Sequence, residues 1–330
     1  MYTKMFGFVL VFAIGCQTTT EESHVETSRT RGERYIGTEP TPGGTQSPGS
    51  PLGVAQSESF ERRGALQGVS GEGAGPNPLC NGSLISANAV DIMLDLTETT
   101  DSETIYTTFE RIDGIAFLFE ECRDPWGMFP TAYRHITRRI IQAIERGEIE
   151  DDQWGRDIVL DFAGRYLANL RAALMGEQPS YAWEHYSYLA DRQDVSRTRA
   201  VVVAMVAHLT LDLPYSLVAI DSTEDQKDDY FVLGELMIEI TPDFLDELVH
   251  YYDCDAEEIL NGFFFGDWVD GAFGPDTTIT FSYQTIRTKS WNNRWYLEQE
   301  WGAWIAQSEI YTAFWAMDGV LAGLDTSGAI

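Results

Sequence analysis

One histidine and one aspartate lie within the most apolar segment of the chain. His208 and Asp212 are four residues apart in the run Ala207-His-Leu-Thr-Leu-Asp-Leu-Pro214. On an α-helix this spacing places both side chains on one face, one turn apart. Burying an imidazole and a carboxylate costs several kcal/mol unless they are paired or bind a metal. The pattern therefore indicates either a site for one divalent metal ion or a core pair, formed between these two residues or with an arginine.

Other polar and aromatic residues could converge on the same helix and form a ligand pocket. They are Asp161, Arg165, Tyr166, Asp229, Arg287 and Trp291. Asp161 and Arg165 have the spacing of an ion pair within one helix. Taken singly, each residue of this set also fits an ordinary salt bridge or core contact. His135 and His185 are the candidate third ligands if a metal ion is bound.

The elements that carry these residues are predicted to be helices. From residue 86 onward apolar residues recur at helical spacing, with almost no alternation typical of strands. We therefore expect an all-α fold, a single multi-helix globular domain around a buried central helix at 199–220. The other helices are predicted at 87–97, 101–113, 131–146, 153–175, 179–189, 224–240, 242–252, 256–270 and 283–324, with a short strand or strap at 277–281.

The first sixteen residues read as an export signal. Lys4 precedes an apolar run of ten residues, which is too short to span a bilayer as a helix. The following Ala13-Ile-Gly-Cys16 resembles a bacterial lipobox, with alanine where leucine is usual. The resemblance implies cleavage before Cys16, a lipid on that cysteine, and an exported protein anchored to a bacterial membrane, the outer membrane if the cell has one.

Residues 17–80 are predicted to be a disordered tether, and residues 81–330 the helical domain. The segment before residue 80 is rich in Gly, Pro and Ser and poor in large apolar residues, so it cannot bury enough surface to fold. A flexible chain of this length has a root-mean-square reach of roughly 45 Å. That reach would hold the domain clear of a lipid surface.

Charge and cysteine content restrict the partners and the compartment. The chain carries a net charge of −30, and no basic stripe is present, so nucleic acid is not expected as a partner. With Cys16 assigned to lipid, Cys80, Cys122 and Cys254 remain in an oxidising setting. One disulfide with a spare thiol and three buried free cysteines both fit, and the spacing does not select a pairing.

Several runs together resemble an uncharacterised bacterial family, a domain of unknown function. They are Phe129-Pro-Thr-Ala-Tyr-Arg-His-Ile-Thr137, Asp161-Phe-Ala-Gly-Arg-Tyr-Leu167, Ala207-His-Leu-Thr-Leu-Asp-Leu-Pro214, Asp229-Tyr230 and Arg287 four before Trp291. The resemblance covers about 88–324 and implies an all-helical domain without a known activity. In outline, His208, Asp212 and Pro214 are also similar to zinc phospholipases C and single-strand nucleases, but those enzymes need more histidines than this domain has.

Three functions follow from these observations. The first is a lipid-anchored envelope protein whose helical domain binds a ligand or protein partner beside the central helix. The second is a metal-dependent hydrolase in which His208 and Asp212 hold the ion. The third is a purely structural envelope lipoprotein. Common nucleophile and nucleotide motifs are absent from the sequence.

Overall fold

The computed structural model describes residues 77–260 and 283–330. These residues form eleven α-helices, a further helical turn at 257–260 where a helix was predicted, and one short hairpin, which confirms the predicted all-α fold. The helices are α1 Ala87–Thr97, α2 Ile105–Cys122, α3 Met128–Glu145, α4 Asp152–Met175, α5 Tyr181–Asp191, α6 Arg197–Ala207, α7 Leu213–Ala219, α8 Lys227–Glu239, α9 Thr241–Tyr252, α10 Tyr283–Glu298 and α11 Ala303–Ser327. The export signal, the tether up to residue 76 and the segment 277–281 lie outside the described residues.

The predicted central helix is present as α6, a π-helical turn at His208–Asp212, and α7. Ser196 caps its start by accepting a hydrogen bond from the Arg199 backbone N–H. Helices α3, α4, α5, α10 and α11 pack against the α6–α7 segment. By length and composition, Arg197–Ala219 could also cross a membrane, but 83% of its most apolar window is buried within the domain. This burial is what a core helix requires.

Proline explains the π-helical turn at the middle of this segment. Pro214 has no backbone N–H, so it cannot donate to a carbonyl of the preceding turn. In the wider π register its partner would be the Leu209 carbonyl oxygen. That oxygen instead accepts a hydrogen bond of 2.6 Å from the Ser290 hydroxyl on α10. The Ser290 hydroxyl therefore replaces the missing proline N–H and joins the π turn to α10.

Two predicted helix ends are wrong. Helix α2 continues to Cys122 rather than ending near residue 113. Gly114 lies inside this helix and permits close packing, since an added Cβ would lie 3.1 Å from Leu96 Cδ1 on α1. The long helix predicted over 283–324 is two helices, α10 and α11. A turn separates them at Gly302, where an added Cβ would lie 2.8 Å from the Tyr296 carbonyl oxygen.

A disulfide joins the start of the domain to the end of α2. Cys80 lies on β1 (Cys80–Asn81), which pairs antiparallel with β2 (Leu84–Ile85), and its sulfur is bonded to that of Cys122. Cys254 is a buried free thiol. The described residues therefore contain one disulfide and one spare cysteine, the first of the two arrangements left open by the sequence.

Candidate functional site

The core of the candidate site is a hydrogen-bonded pair between His208 and Asp212. His208 Nδ1 lies 2.8 Å from Asp212 Oδ2, and the two residues are only 3% and 4% exposed. The indole Nε1 of Trp183 on α5 donates to the same carboxylate oxygen at 2.8 Å. His208 and Asp212 therefore form the core pair that their spacing allowed, and Trp183 fixes the aspartate from a neighbouring helix.

This network assigns the protonation of the imidazole. An aspartate oxygen that accepts from Trp183 also accepts from His208, so the histidine proton lies on Nδ1. Burial lowers the pKa of His208 below its ordinary value, which keeps the ring neutral. The other ring nitrogen, Nε2, therefore carries a lone pair, and it is buried without a hydrogen-bond partner among the described residues.

Aromatic rings from three helices surround the His208 ring. Phe162 on α4 stacks on it with 3.4 Å between ring centroids and 12° between planes. Tyr133 and Phe129 on α3 approach edge-on at 4.8 and 5.3 Å, and Trp183 lies at 5.8 Å. Such an apolar surrounding disfavours a charged imidazole and keeps competing water away from Nε2.

A pocket borders His208 on the side of α3, α4 and α8. Its cavity volume is about 60 Å³. The lining is otherwise mostly aliphatic and aromatic, with Ile136, Ile158, Val159, Met205, Leu209, Leu213, Leu233 and Phe244 among its members. Ile140, Phe162 and Met237 are the partly exposed lining residues and mark the mouth.

Arg287 is the predicted pocket residue that lines this cavity together with His208. Its guanidinium donates to the backbone carbonyl of Tyr230 and lies 4.1 Å above the Tyr230 ring. The arginine fits because residue 234 is a glycine: a Cβ there would come within 1.6 Å of Arg287 Nη1. Gly234 and Arg287 therefore join α8 to α10 at the wall of the pocket.

Asp229 and Trp291 lie in the same region but do not line the pocket. The two Asp229 carboxylate oxygens accept from the backbone N–H groups of Glu150 and Asp151, each at 2.8 Å. Trp291 is buried and donates from Nε1 to Glu224 at 3.2 Å. Both side chains hold the helices that form the wall, so their contacts are structural.

The other predicted pocket residues lie on α4. Arg165 Nε donates to Asp161 at 2.7 Å, which is the expected ion pair, and also to Ser216 Oγ of α7 at 2.9 Å. Tyr166 lines a second, smaller cavity of about 10 Å³ rather than the pocket of His208. Its hydroxyl is buried and has no partner in the part of the chain that the structure describes, and burial raises the pKa of Tyr166 well above its ordinary value.

The two histidines expected as third metal ligands are engaged elsewhere. His135 Nε2 contacts Glu247 at 2.8 Å, and His185 Nε2 contacts Asp318 at 2.9 Å. Within residues 77–260 and 283–330, no three His, Cys, Asp or Glu side chains gather closely enough to hold a metal ion. A metal ion on His208 and Asp212 stays a prediction that this geometry does not support.

The aromatic surroundings of His208 were missed as site residues. Phe129 and Tyr133 could have been found from their i, i+4 spacing, which places both on one face of α3. Phe162 precedes Ala163 on the inward side of α4, where it looked like ordinary core packing. Trp183 carried no local signal, because its link to Asp212 joins α5 to the π turn across 29 residues.

The fold and the site define a helical domain with a buried His-Asp pair beside an apolar pocket. The chain belongs to the family of unknown function DUF5995, whose model matches residues 105–316. This confirms the expected membership of an uncharacterised family, over a somewhat shorter range. The matched range includes the pocket and its His208–Asp212 pair. No curated protein and no solved structure matches the chain.

Proposed function

We propose that the protein is a lipid-anchored envelope protein whose helical domain binds a small, largely apolar ligand beside His208. The observation that carries the proposal is the buried Nε2 of His208. It has no hydrogen-bond partner within residues 77–260 and 283–330 and belongs to a residue of the pocket wall. Leaving a buried acceptor unsatisfied costs about 1–3 kcal/mol. A ligand that enters the pocket would recover this energy and bury its own apolar surface.

The size of the cavity sets the size of the ligand. A water molecule needs about 10–15 Å³ of cavity space, so the volume of about 60 Å³ has room for roughly four to six heavy atoms. Dry, apolar cavities in proteins bind compact apolar guests such as xenon. The pocket is thus suited to a compact molecule or to one small end of a longer one.

Methionine methyl groups provide a direct test of binding. With ¹³C-methyl methionine in the full-length protein, xenon pressure should shift the resonances of Met205 and Met237, which line the pocket. Met93 and Met175 do not line it and serve as references. If all four resonances respond equally, or if the two pocket methionines do not respond, the proposed binding function is wrong.

A matched pair of variants separates the pocket from the rest of the domain. Ile140→Trp places a large ring at the partly exposed mouth and should reduce the xenon response of Met205 and Met237. Ile92→Trp makes the same change at a partly buried position on α1 and should leave that response unchanged. Equal effects of both variants would contradict a site at this pocket.

The proposed location follows from the signal segment and from the cysteines. Residues 1–16 have the order of a lipobox signal ending in Cys16, and the Cys80–Cys122 disulfide supports an oxidising compartment. Because the chain is strongly acidic, we attribute membrane attachment to the lipid rather than to a basic patch. A ligand site on such a tethered domain would be displayed outside the cytoplasm.

Substitution of the proposed acylated cysteine tests the anchor. Cys16→Ser removes the only side chain expected to carry the lipid, so the protein should move from the membrane fraction to the soluble fraction and lose labelling by radioactive palmitate. Cys254→Ser, which leaves the signal segment intact, is the control and should stay in the membrane fraction. A Cys16→Ser protein that remains membrane-bound would contradict lipid anchoring.

A further inference from the structure

We infer that the ligand of this pocket carries a hydroxyl or N–H donor that donates to His208 Nε2. The inference rests on the proposed function, since it concerns the same pocket. It adds the chemical class of the ligand: a compact apolar body with one hydrogen-bond donor. The next three observations support it.

The first observation is that the donor capacity of the imidazole is already used. His208 Nδ1 lies 2.8 Å from Asp212 Oδ2, and that oxygen is held by Trp183 Nε1 at 2.8 Å. A neutral imidazole has one donor nitrogen and one acceptor nitrogen. With Nδ1 as the donor, Nε2 can only accept, so a ligand with acceptor atoms alone would place one lone pair against another.

The second observation is that the polar side chains of Arg287, Tyr230 and Thr137 in the wall are engaged within the protein. Arg287 donates to the Tyr230 backbone carbonyl, and the Tyr230 hydroxyl donates to the Arg287 carbonyl at 2.7 Å. The Thr137 hydroxyl donates to the Tyr133 carbonyl at 2.9 Å. Among the buried polar side-chain atoms of the lining in residues 77–260 and 283–330, His208 Nε2 is the one without a partner.

The third observation is the rigidity of the acceptor. The imidazole ring is fixed on one side by Asp212 and is stacked on Phe162 at 3.4 Å. An acceptor held in place loses little rotamer freedom when a donor binds, so more of the hydrogen-bond energy appears as affinity. A buried polar group of this kind discriminates strongly against analogues that cannot satisfy it.

Pyrrole and furan form a matched pair of probes for this inference. Both are five-membered aromatic rings of nearly equal size, but pyrrole has an N–H donor and furan has only an acceptor oxygen. Each would be titrated into the ¹³C-methyl methionine protein, and the dissociation constant read from Met205 and Met237. We expect pyrrole to bind about 5- to 10-fold more tightly than furan, the usual worth of one buried hydrogen bond.

A histidine variant and a nitrogen resonance identify the acceptor. In His208→Phe the preference for pyrrole should fall to about 1-fold, because the ring is kept and the acceptor is lost. Since this variant leaves Asp212 without its histidine partner and could fail to fold, the wild-type protein gives a second readout: the ¹⁵N resonance of His208 Nε2 should move with pyrrole and not with furan.

The outcomes separate the two proposals. If neither ring perturbs Met205 or Met237, the ligand-binding function itself fails. If both rings bind with equal affinity, the pocket is real but the requirement for a donor is wrong. A preference for pyrrole that persists in folded His208→Phe would also overturn the assignment of Nε2 as the acceptor.

Discussion

At the scale of single residues, the spacing of His208 and Asp212 predicted that the two side chains meet. It left open whether they meet at a metal ion or pair with each other, since both arrangements need the same i, i+4 geometry. In the structure the two residues pair with each other, and Trp183 donates to the Asp212 carboxylate from another helix. A contact over 29 residues has no local sequence signal. The pair was therefore predictable from the sequence, whereas its hydrogen-bond partner was not.

The buried His208 makes stability depend on pH in a defined direction. Its pKa is lowered by burial, so between that value and the ordinary value of about 6.5 the unfolded chain binds the proton and the folded protein does not. The free energy of unfolding should therefore fall as the solution is acidified below about pH 6.5, by about 1.4 kcal/mol per pH unit within this window. Above pH 7 this contribution is fully present.

Urea unfolding of His208→Gln and wild-type protein between pH 8 and pH 5 measures this effect. The advantage of the wild-type protein over the variant should shrink toward pH 5, because glutamine does not titrate. Both proteins carry all the other titratable groups, so the contributions of those groups cancel in the difference between the two. A wild-type advantage over His208→Gln that is the same at both pH values would contradict a buried neutral imidazole.

At the scale of elements, most predicted helix bounds lie within three residues of the observed ones. The exceptions are the start predicted at 101, which lies at Ile105, the end predicted at 113, and the break within 283–324. Ser196 caps the start of the central helix, where its side chain bonds to a backbone N–H three residues on. Two glycines at the wrongly predicted bounds have different uses. Gly114 permits close packing against Leu96, whereas Gly302 lies at the turn where one helix ends. Only the tertiary contacts distinguish these uses.

The π turn at His208–Asp212 also depends on tertiary contacts. The sequence predicted one continuous central helix, but Pro214 disturbs it, since it lacks the N–H that an α-helix needs. The sequence did not show that the disturbance is a π turn, because the carbonyl of Leu209 is satisfied by Ser290, 81 residues away. This turn carries His208 and Asp212 and presents them toward α3, α4 and α5. The pocket thus depends on how five or more helices assemble around one irregular turn.

At the scale of the whole molecule, composition predicted the class of fold. It did not predict the disulfide that holds the first residues of the domain in place. The helical pattern and the apolar segment at 199–220 were sufficient for an all-α domain with a buried central helix. The disulfide could not be selected, because three cysteines allow several pairings. The structure pairs Cys80 with Cys122, so the chain that emerges from the proposed tether is bonded to the end of α2.

This bond should contribute substantially to the stability of the domain in an oxidising compartment. Joining two residues separated by 42 positions removes chain entropy from the unfolded state equivalent to about 4 kcal/mol at 25 °C. Replacement of both cysteines by alanine should lower the free energy of unfolding by about this amount, a large part of the about 5–15 kcal/mol typical of a domain. Urea unfolding followed by circular dichroism measures the loss.

Reduction of the wild-type protein provides the control for this substitution. Dithiothreitol should bring the wild-type unfolding curve close to that of Cys80→Ala/Cys122→Ala. It should leave the curve of the double variant unchanged, because only the wild-type protein has this disulfide to lose. If the oxidised and reduced wild-type proteins unfold with the same free energy, the bond adds nothing to the fold. The oxidising compartment would then lose its support from the disulfide, and the proposed export would rest on the signal segment alone.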